Sequence, residues 1–270
     1  MKVFISVDIE GICCIVNQDS TGPQGKSYDQ GRRQMTAEVN AAVEGALAAG
    51  ATEVVVNDSH GGMNNLFAQE IHRDAQVILG TPKPFMMMEG ISADFDAALF
   101  IGYHARMHSP GILSHTISGG VVSNVWINGT LCGETGINAG LAGHFGVPVV
   151  LVSGDDCLAG EAKELLGPVE AVIVKHAITR YSARNLHPEK AVELIRYRTE
   201  QVLKEKPATK PLVFDTPVTM RLEFANAGMA DAACFLPGSL RVDGRTVEFT
   251  GSDYLTAFQG LRTMISLARP

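Results

Sequence analysis

The chain has 270 residues, 46% of them hydrophobic and 19% charged, with a net charge of −7. This composition belongs to a folded globular protein and excludes a disordered one. It has no basic run to bind phosphates and no apolar segment near the roughly 20 residues of a membrane helix, so neither nucleic acid nor membrane is an expected partner.

The length suits one large domain or two unequal ones. Five cysteines, Cys13, Cys14, Cys132, Cys157 and Cys234, form no C-x-x-C pair, and Cys13 and Cys14 are adjacent. They read as reduced thiols and predict a cytoplasmic protein. Asp8 and Glu10 interrupt the opening apolar run too early for a signal peptide.

Residues 2–7, rich in β-branched and aromatic side chains, predict a buried strand that ends in Asp8 and Glu10. A Gly/Pro loop over 17–27 follows. Apolar residues at 35, 39, 43, 46 and 47 then predict a helix over 28–49, with Gly50 just past its end. Residues 53–56 form a second buried strand before Asn57, Asp58, Ser59 and His60. Strand, helix, strand is the unit of a parallel sheet. Next come a short helical piece over 63–69, a strand over 75–79, and three methionines at 86–88 that read as core or interface filler.

Residues 96–102 predict another buried strand, ending in Tyr103 and His104; the loop after it holds His108, Ser114 and His115. Asn128-Gly129 marks a hairpin between strands 121–128 and 130–132. A helix over 137–145, a strand over 147–152, a helix over 158–166 and a strand over 171–174 complete an expected α/β domain of residues 1–174.

From Lys175 the character changes. A charged helix over 188–206, a proline-bearing linker over 206–217, an exposed-looking strand over 218–224, a hairpin around Asp243-Gly244 and a terminal helix capped by Ser252 predict a smaller α+β domain, residues 175–270. The expected fold class is a three-layer αβα domain with a mainly parallel sheet, plus a smaller domain with antiparallel strands.

The strand interiors carry no charge, yet their carboxyl ends carry Asp8 and Glu10, Asp58 and His60, His104, and Asp155 with Asp156. Ligands of open α/β sheets bind beyond those ends. Asp, Glu and His without Cys suit Zn²⁺, Mn²⁺ or Co²⁺. Two carboxylates on one strand end and histidines from two others suit a pair of ions bridged by a carboxylate and a water, which points to a metallohydrolase. Asp58, Asp155 and Asp156 fit either partners that orient ligands or turn-forming residues, with Asp58 favoured as the first. His72, His108, His144, His176 and His187 read as ordinary surface or helix-end residues. Ser114 lacks a G-x-S-x-G elbow, and Gly61-Gly62 lacks the lysine of a phosphate loop.

V-D-I-E-G from Val7, V-N-D-S-H from Val56, G-Y-H-A-R from Gly102, Ser114-His115 and G-E-x-G from Gly133 resemble the D-aminopeptidase family, peptidase family M55. Lesser matches at 64–66, 83–85, 154–156 and 223–226 extend the likeness through nearly the whole chain. The resemblance implies a binuclear zinc site, two ions per subunit. Asp8 would bridge both, Glu10 and His60 would complete one site, and His104 and Glu134 the other. It implies His115 as the active-site histidine. It also implies short peptide or amide substrates with an N-terminal D-residue such as D-Ala, and a ring-shaped homo-decamer. Glu134 comes from the resemblance alone, since an acid at a helix start is ordinarily a dipole or capping residue. Another metal-dependent amidohydrolase or phosphoesterase, and a non-catalytic metal- or peptide-binding protein, are the alternative readings.

Overall fold

In the computed structural model, residues 1–205 and 208–269 are described. Residues 206 and 207, where the charged helix was expected to end and the linker to begin, lie outside the described residues, as does 270.

The elements in chain order are β1 (Lys2–Val7), α1 (Tyr28–Ala48), β2 (Glu53–Asp58), β3 (Ala75–Ile78), β4 (Ala97–Ile101), β5 (Val122–Ile127), β6 (Thr130–Cys132), α2 (Glu134–His144), β7 (Val149–Asp155), α3 (Asp156–Leu166), β8 (Glu170–Thr179), β9 (Ser182–Asn185), α4 (Pro188–Lys204), β10 (Val218–Phe224), α5 (Ala227–Ala233), β11 (Ser239–Arg241), β12 (Thr246–Gly251) and α6 (Tyr254–Ala268).

A seven-stranded sheet has the order β3-β2-β1-β4-β7-β8-β9, parallel except for the last pair, and a five-stranded antiparallel sheet has the order β11-β12-β10-β5-β6. The expected mainly parallel sheet with a separate antiparallel set is what forms. β1 is an interior strand, buried on both faces: Val3, Ile5 and Val7 pack with α1 and α4, while Phe4 packs with the core on the opposite face. That second core, with α2, α3 and α6, also holds Met87 and Met88, so those methionines are core and not surface.

Several local expectations change. Residues 63–69 form no helix; single 3-10 turns stand at Ala68–Glu70 and Met86–Met88. β10 is not exposed: it lies at the centre of the small sheet and buries Val218, Met220, Leu222 and Phe224 on alternate positions. Asp253, not Ser252, caps α6, its carboxylate accepting the Thr256 N–H at 2.7 Å. β8 runs past 174 to Thr179 and turns into β9 at Arg180-Tyr181, so this hairpin overhangs the carboxyl edge of the sheet. The elements after Lys175 are thus shared between the sheets, and β5 and β6 join β10. None of the described helices is long and apolar enough to cross a membrane.

Candidate metal centre

Asp8 and Glu10 follow β1, His60 follows β2, His104 follows β4, and Glu134 is the first residue of α2. The strand ends are pressed together. Asp8 N–H donates to Ile101 O at 2.8 Å and Gly11 N–H to Gly102 O at 2.7 Å. Gly102 has φ +68°, and a Cβ there would collide with Asp8 O, so glycine is required where β4 turns toward the first strand. Beneath the site, Ser6 Oγ lies 2.7 Å from Ser59 Oγ, 2.6 Å from Tyr103 OH and 2.7 Å from Met87 O, and Asn138 Nδ2 donates to Tyr103 OH at 2.9 Å. This buried network ties β1, the ends of β2 and β4, and α2 into one platform.

Two buried lysines brace the loops. Lys175, fully buried in β8, donates to Glu10 O, Ile12 O and Ile15 O at 2.5, 2.9 and 2.6 Å. Lys83 donates to Asn57 Oδ1 at 2.7 Å and Asp58 O at 2.8 Å. Lys175 holds the segment after Glu10 by its backbone, and Lys83 holds the end of β2, before His60, through the Asn57 side chain and the Asp58 carbonyl.

The structure brings all six expected site residues together. His60 Nδ1 lies 3.2 Å from Asp8 Oδ1 and 3.0 Å from Glu10 Oε2. His104 Nε2 lies 3.4 Å from Asp8 Oδ2 and 3.3 Å from Glu134 Oε1. His115 Nε2 is 3.8 Å from the same Glu134 oxygen. Asp8 therefore offers one oxygen to each half of the cluster.

The imidazoles share one bonding pattern. His60 donates Nε2–H to Thr21 O at 2.7 Å, His104 donates Nδ1–H to Ala105 O at 2.9 Å, and His115 donates Nδ1–H to Leu113 O at 2.9 Å. Each carbonyl fixes a tautomer and turns the other nitrogen toward the carboxylates. A neutral imidazole then points a lone pair at anionic oxygen, which is repulsive without a positive charge between them. His104 Nε2 and Glu10 Oε2 are buried and make no hydrogen bond. A divalent cation satisfies both atoms, and the oxygen and imidazole donors suit zinc. The residues fit a metal pair.

The titration of the group expresses the same demand. Burial raises the Asp8 carboxyl, and Glu10 beside it adds to the rise, to about 7. Burial disfavours charge on His104, but Glu134 and Asp8 override it and hold the imidazole up to about 10. His60 is likewise raised against burial by Glu10 and Asp8. Burial and the His104 cation lower His115.

Other expectations resolve differently. Asp58 does not touch the His60 ring: its oxygens accept Asn65 N–H at 2.5 Å, Leu66 N–H at 2.9 Å and Asn65 Nδ2 at 2.7 Å, so it builds the turn after β2. Asp155 caps α3 through Leu158 N–H and holds Ile112 N–H, while Asp156 accepts Ala177 N–H. No local pattern marks Lys175 as serving backbone carbonyls far along the chain, and Lys83, although it falls in the lesser family match at 83–85, carries no role that its neighbours in sequence disclose.

Glu10, His60 and His115 line a cleft of about 1160 Å³, whose lining also includes residues of the 18–25 loop and, near His115, Leu113 and Gly119.

A model of the D-aminopeptidase family, peptidase family M55, matches residues 1–263. The chain is 41% identical over 269 residues to a D-aminopeptidase of Bacillus subtilis strain 168, covering 99% of this chain and 98% of that protein. It superposes with a TM-score of 0.97, at 41% identity, on the Zn-dependent D-aminopeptidase DppA from Bacillus subtilis, a self-compartmentalizing protease; the match covers 99% of this chain and 98% of that one.

Proposed function

The chain belongs to the D-aminopeptidase family, peptidase family M55, and we propose that it is a zinc-dependent aminopeptidase hydrolysing short peptides or amides with an N-terminal D-residue of the D-Ala type. The observation that carries this reading is the shared bonding of His60, His104 and His115, each held by a backbone carbonyl with its free nitrogen on a buried carboxylate. The zinc dependence of the Bacillus subtilis relative supports it.

Asp8 would bridge two zinc ions, with Glu10 and His60 on one and His104 and Glu134 on the other. Bound zinc supplies an acidified water and a Lewis acid for the scissile carbonyl. The chain supplies the rest. The carbonyls of Thr21 and Ala105 keep the ligating nitrogens aimed, and Lys175 and Lys83 hold the segments that carry Glu10 and His60. The substrate's free α-amine would bind at the same metal-carboxylate cluster, which Glu10 and His60 bring to the lining of the cleft. His115 is 20% exposed on the cleft side, and its lowered pKa keeps Nε2 free to accept a proton at neutral pH.

We further infer a cytoplasmic homo-oligomer, a ring-shaped decamer enclosing the sites. The self-compartmentalizing relative supports assembly, as do large apolar side chains left outside: Phe235 is 78% and Val213 69% exposed. All five cysteines are free, in keeping with a reducing compartment.

The test is metal analysis with D- and L-aminoacyl amides, D-Ala-D-Ala and a generic phosphoester, before and after chelation and zinc return. Two zinc ions per subunit and cleavage of the D-substrates, lost on chelation and restored by zinc, are expected. Full activity after the metal has been stripped would sink the proposal; turnover of the phosphoester alone would move the chain to another reaction.

A further inference from the structure

We propose that Arg180, at the tip of the β8–β9 hairpin, binds the free C-terminal carboxylate of the substrate and makes the enzyme selective for di- and tripeptides over neutral amides. This inference rests on the aminopeptidase reading.

Arg180 lines the same cleft as Glu10, His60 and His115. The hairpin tip is docked onto the segment that carries His115. Leu113 N–H donates to Arg180 O at 3.0 Å, and Arg180 Nη2 donates to Ser114 O at 3.0 Å. Its Nη1 donates to Tyr181 OH at 2.5 Å, and its guanidinium lies 5.2 Å from the Tyr181 ring centroid. Two bonds therefore orient the guanidinium and leave three of its five N–H donors for a ligand. A fork fixed in advance loses little rotamer freedom on binding a carboxylate.

Its charge is uncommitted. The other arginine of the cleft, Arg32, is spent: it pairs with Asp29 at 3.3 Å, donates to Asn65 O at 2.6 Å, and stacks over Phe67 at 4.1 Å. Among the described residues, ion pairs are formed by arginines 32, 33, 198, 221, 241 and 245, and Arg180 has none. The other acids of the cleft are Glu10, with the cluster, and Asp19, which makes no ion pair with Arg180. An exposed, oriented, unpaired cation in a cleft of a protein with net charge −7 is suited to an anion brought by the ligand.

The reach fits a short peptide. Ser114 precedes His115, so bond lengths keep the Arg180 Nη2 within roughly 11 Å of His115 Nε2. One or two extended residues beyond the scissile bond, at ~3.5 Å each, plus a hydrogen bond, reach roughly 6 to 10 Å, within that limit.

The test compares D-Ala-D-Ala with D-Ala-D-Ala amide, identical in length and chirality, on zinc-loaded wild type, R180K and R180Q. Calorimetric binding of both ligands is measured in parallel in an H115A background, where turnover is slowed by roughly 100-fold or more. Wild type should favour the acid by roughly 10- to 100-fold in kcat/KM and in affinity, the range of hydrogen bonds to a charged group. R180Q should bring that ratio toward one, and R180K should keep part of it. Cleavage without preference for the acid, or an unchanged ratio in R180Q, overturns the inference and leaves the aminopeptidase reading standing. No cleavage, but acid-selective binding lost in R180Q, overturns the aminopeptidase reading and keeps the anion site. If binding is also indifferent to the carboxylate, both are wrong.

Discussion

His104 and His115 lie face to face, ring centroids 4.1 Å apart and 11° from parallel, with both Nε2 atoms turned on Glu134 Oε1. The two rings differ in surroundings. His104 is raised to about 10 by Glu134 and Asp8 against its burial, whereas burial and the neighbouring cation lower His115. On the proposed reading, His104, which stands where the carboxylates call for positive charge, would hold a metal ion, and His115, left neutral, would exchange a proton. His115→Ala should lower kcat by roughly 100- to 10,000-fold, the range of general acid–base catalysis, with two zinc ions still bound. Plasma mass spectrometry on the desalted variant, beside steady-state rates, checks this; loss of one zinc equivalent would make His115 a ligand.

Asp8 touches both halves of the cluster and Glu10 only one. Asp8→Ala should therefore leave less than one zinc per subunit after gel filtration. Glu10→Ala should keep about one. Removing an outer partner of a metal ligand typically costs 10- to 100-fold in affinity, so losing a ligand itself should cost about 100-fold or more at the affected ion. Chelator competition titrations read the two affinities, and equal losses at both ions in Glu10→Ala would refute the division of labour.

The parts of this site that the sequence discloses are those placed by period and edge. Val3 to Val7 alternate faces in a buried strand, so Asp8 and Glu10 must emerge at its carboxyl end, and the same logic delivers His60 and His104. Glu134 escapes that logic, because an acid in the first turn of a helix is ordinary. His115 sits in a loop with positive φ at His108, Leu113 and Ile117, where no periodicity operates. Lys175 reads as the start of a more polar region, since a strand lysine is normally solvated. Its meaning appears only when three carbonyls, 160 to 165 residues earlier in the chain, close on its ammonium. The antiparallel sheet shows the same limit: the β5–β6 hairpin is legible from Asn128-Gly129, but its pairing with β10 is not local.

Lys175→Met should loosen the Glu10–Ile15 segment without touching a metal ligand's side chain. It removes three hydrogen bonds from a buried ammonium and leaves Glu10 O, Ile12 O and Ile15 O to find other donors. A loss of about 2–4 kcal/mol in metal-free stability is expected from hydrogen bonds to a charged group, with weaker zinc at the Glu10–His60 half. Urea unfolding and zinc competition together check it. Unchanged zinc affinity in a destabilised variant would reduce Lys175 to a residue of the fold alone.

Glu38 gives a pH dependence that can be isolated from the metal. Its Oε1 accepts Cys13 N–H at 2.9 Å and Gln34 Nε2 at 3.0 Å, while Oε2 is buried without a partner. Burial raises the carboxyl from 4.5 to about 7. The folded protein then holds this proton more tightly than the unfolded chain, so the contribution is complete below pH 4.5 and is lost as pH rises to about 7. The loss amounts to about 3 kcal/mol at 1.36 kcal/mol per pKa unit. Glu38→Gln removes the titration and keeps the shape. In metal-free protein, wild type should fall progressively below the variant in unfolding free energy between pH 4.5 and 7 and run parallel above pH 8. Asp8 and His104 titrate alike in both proteins and cancel in the difference. Parallel curves across the whole range would mean that Glu38 stays ionised in the fold, held so by Lys175, whose own pKa burial lowers to about 8.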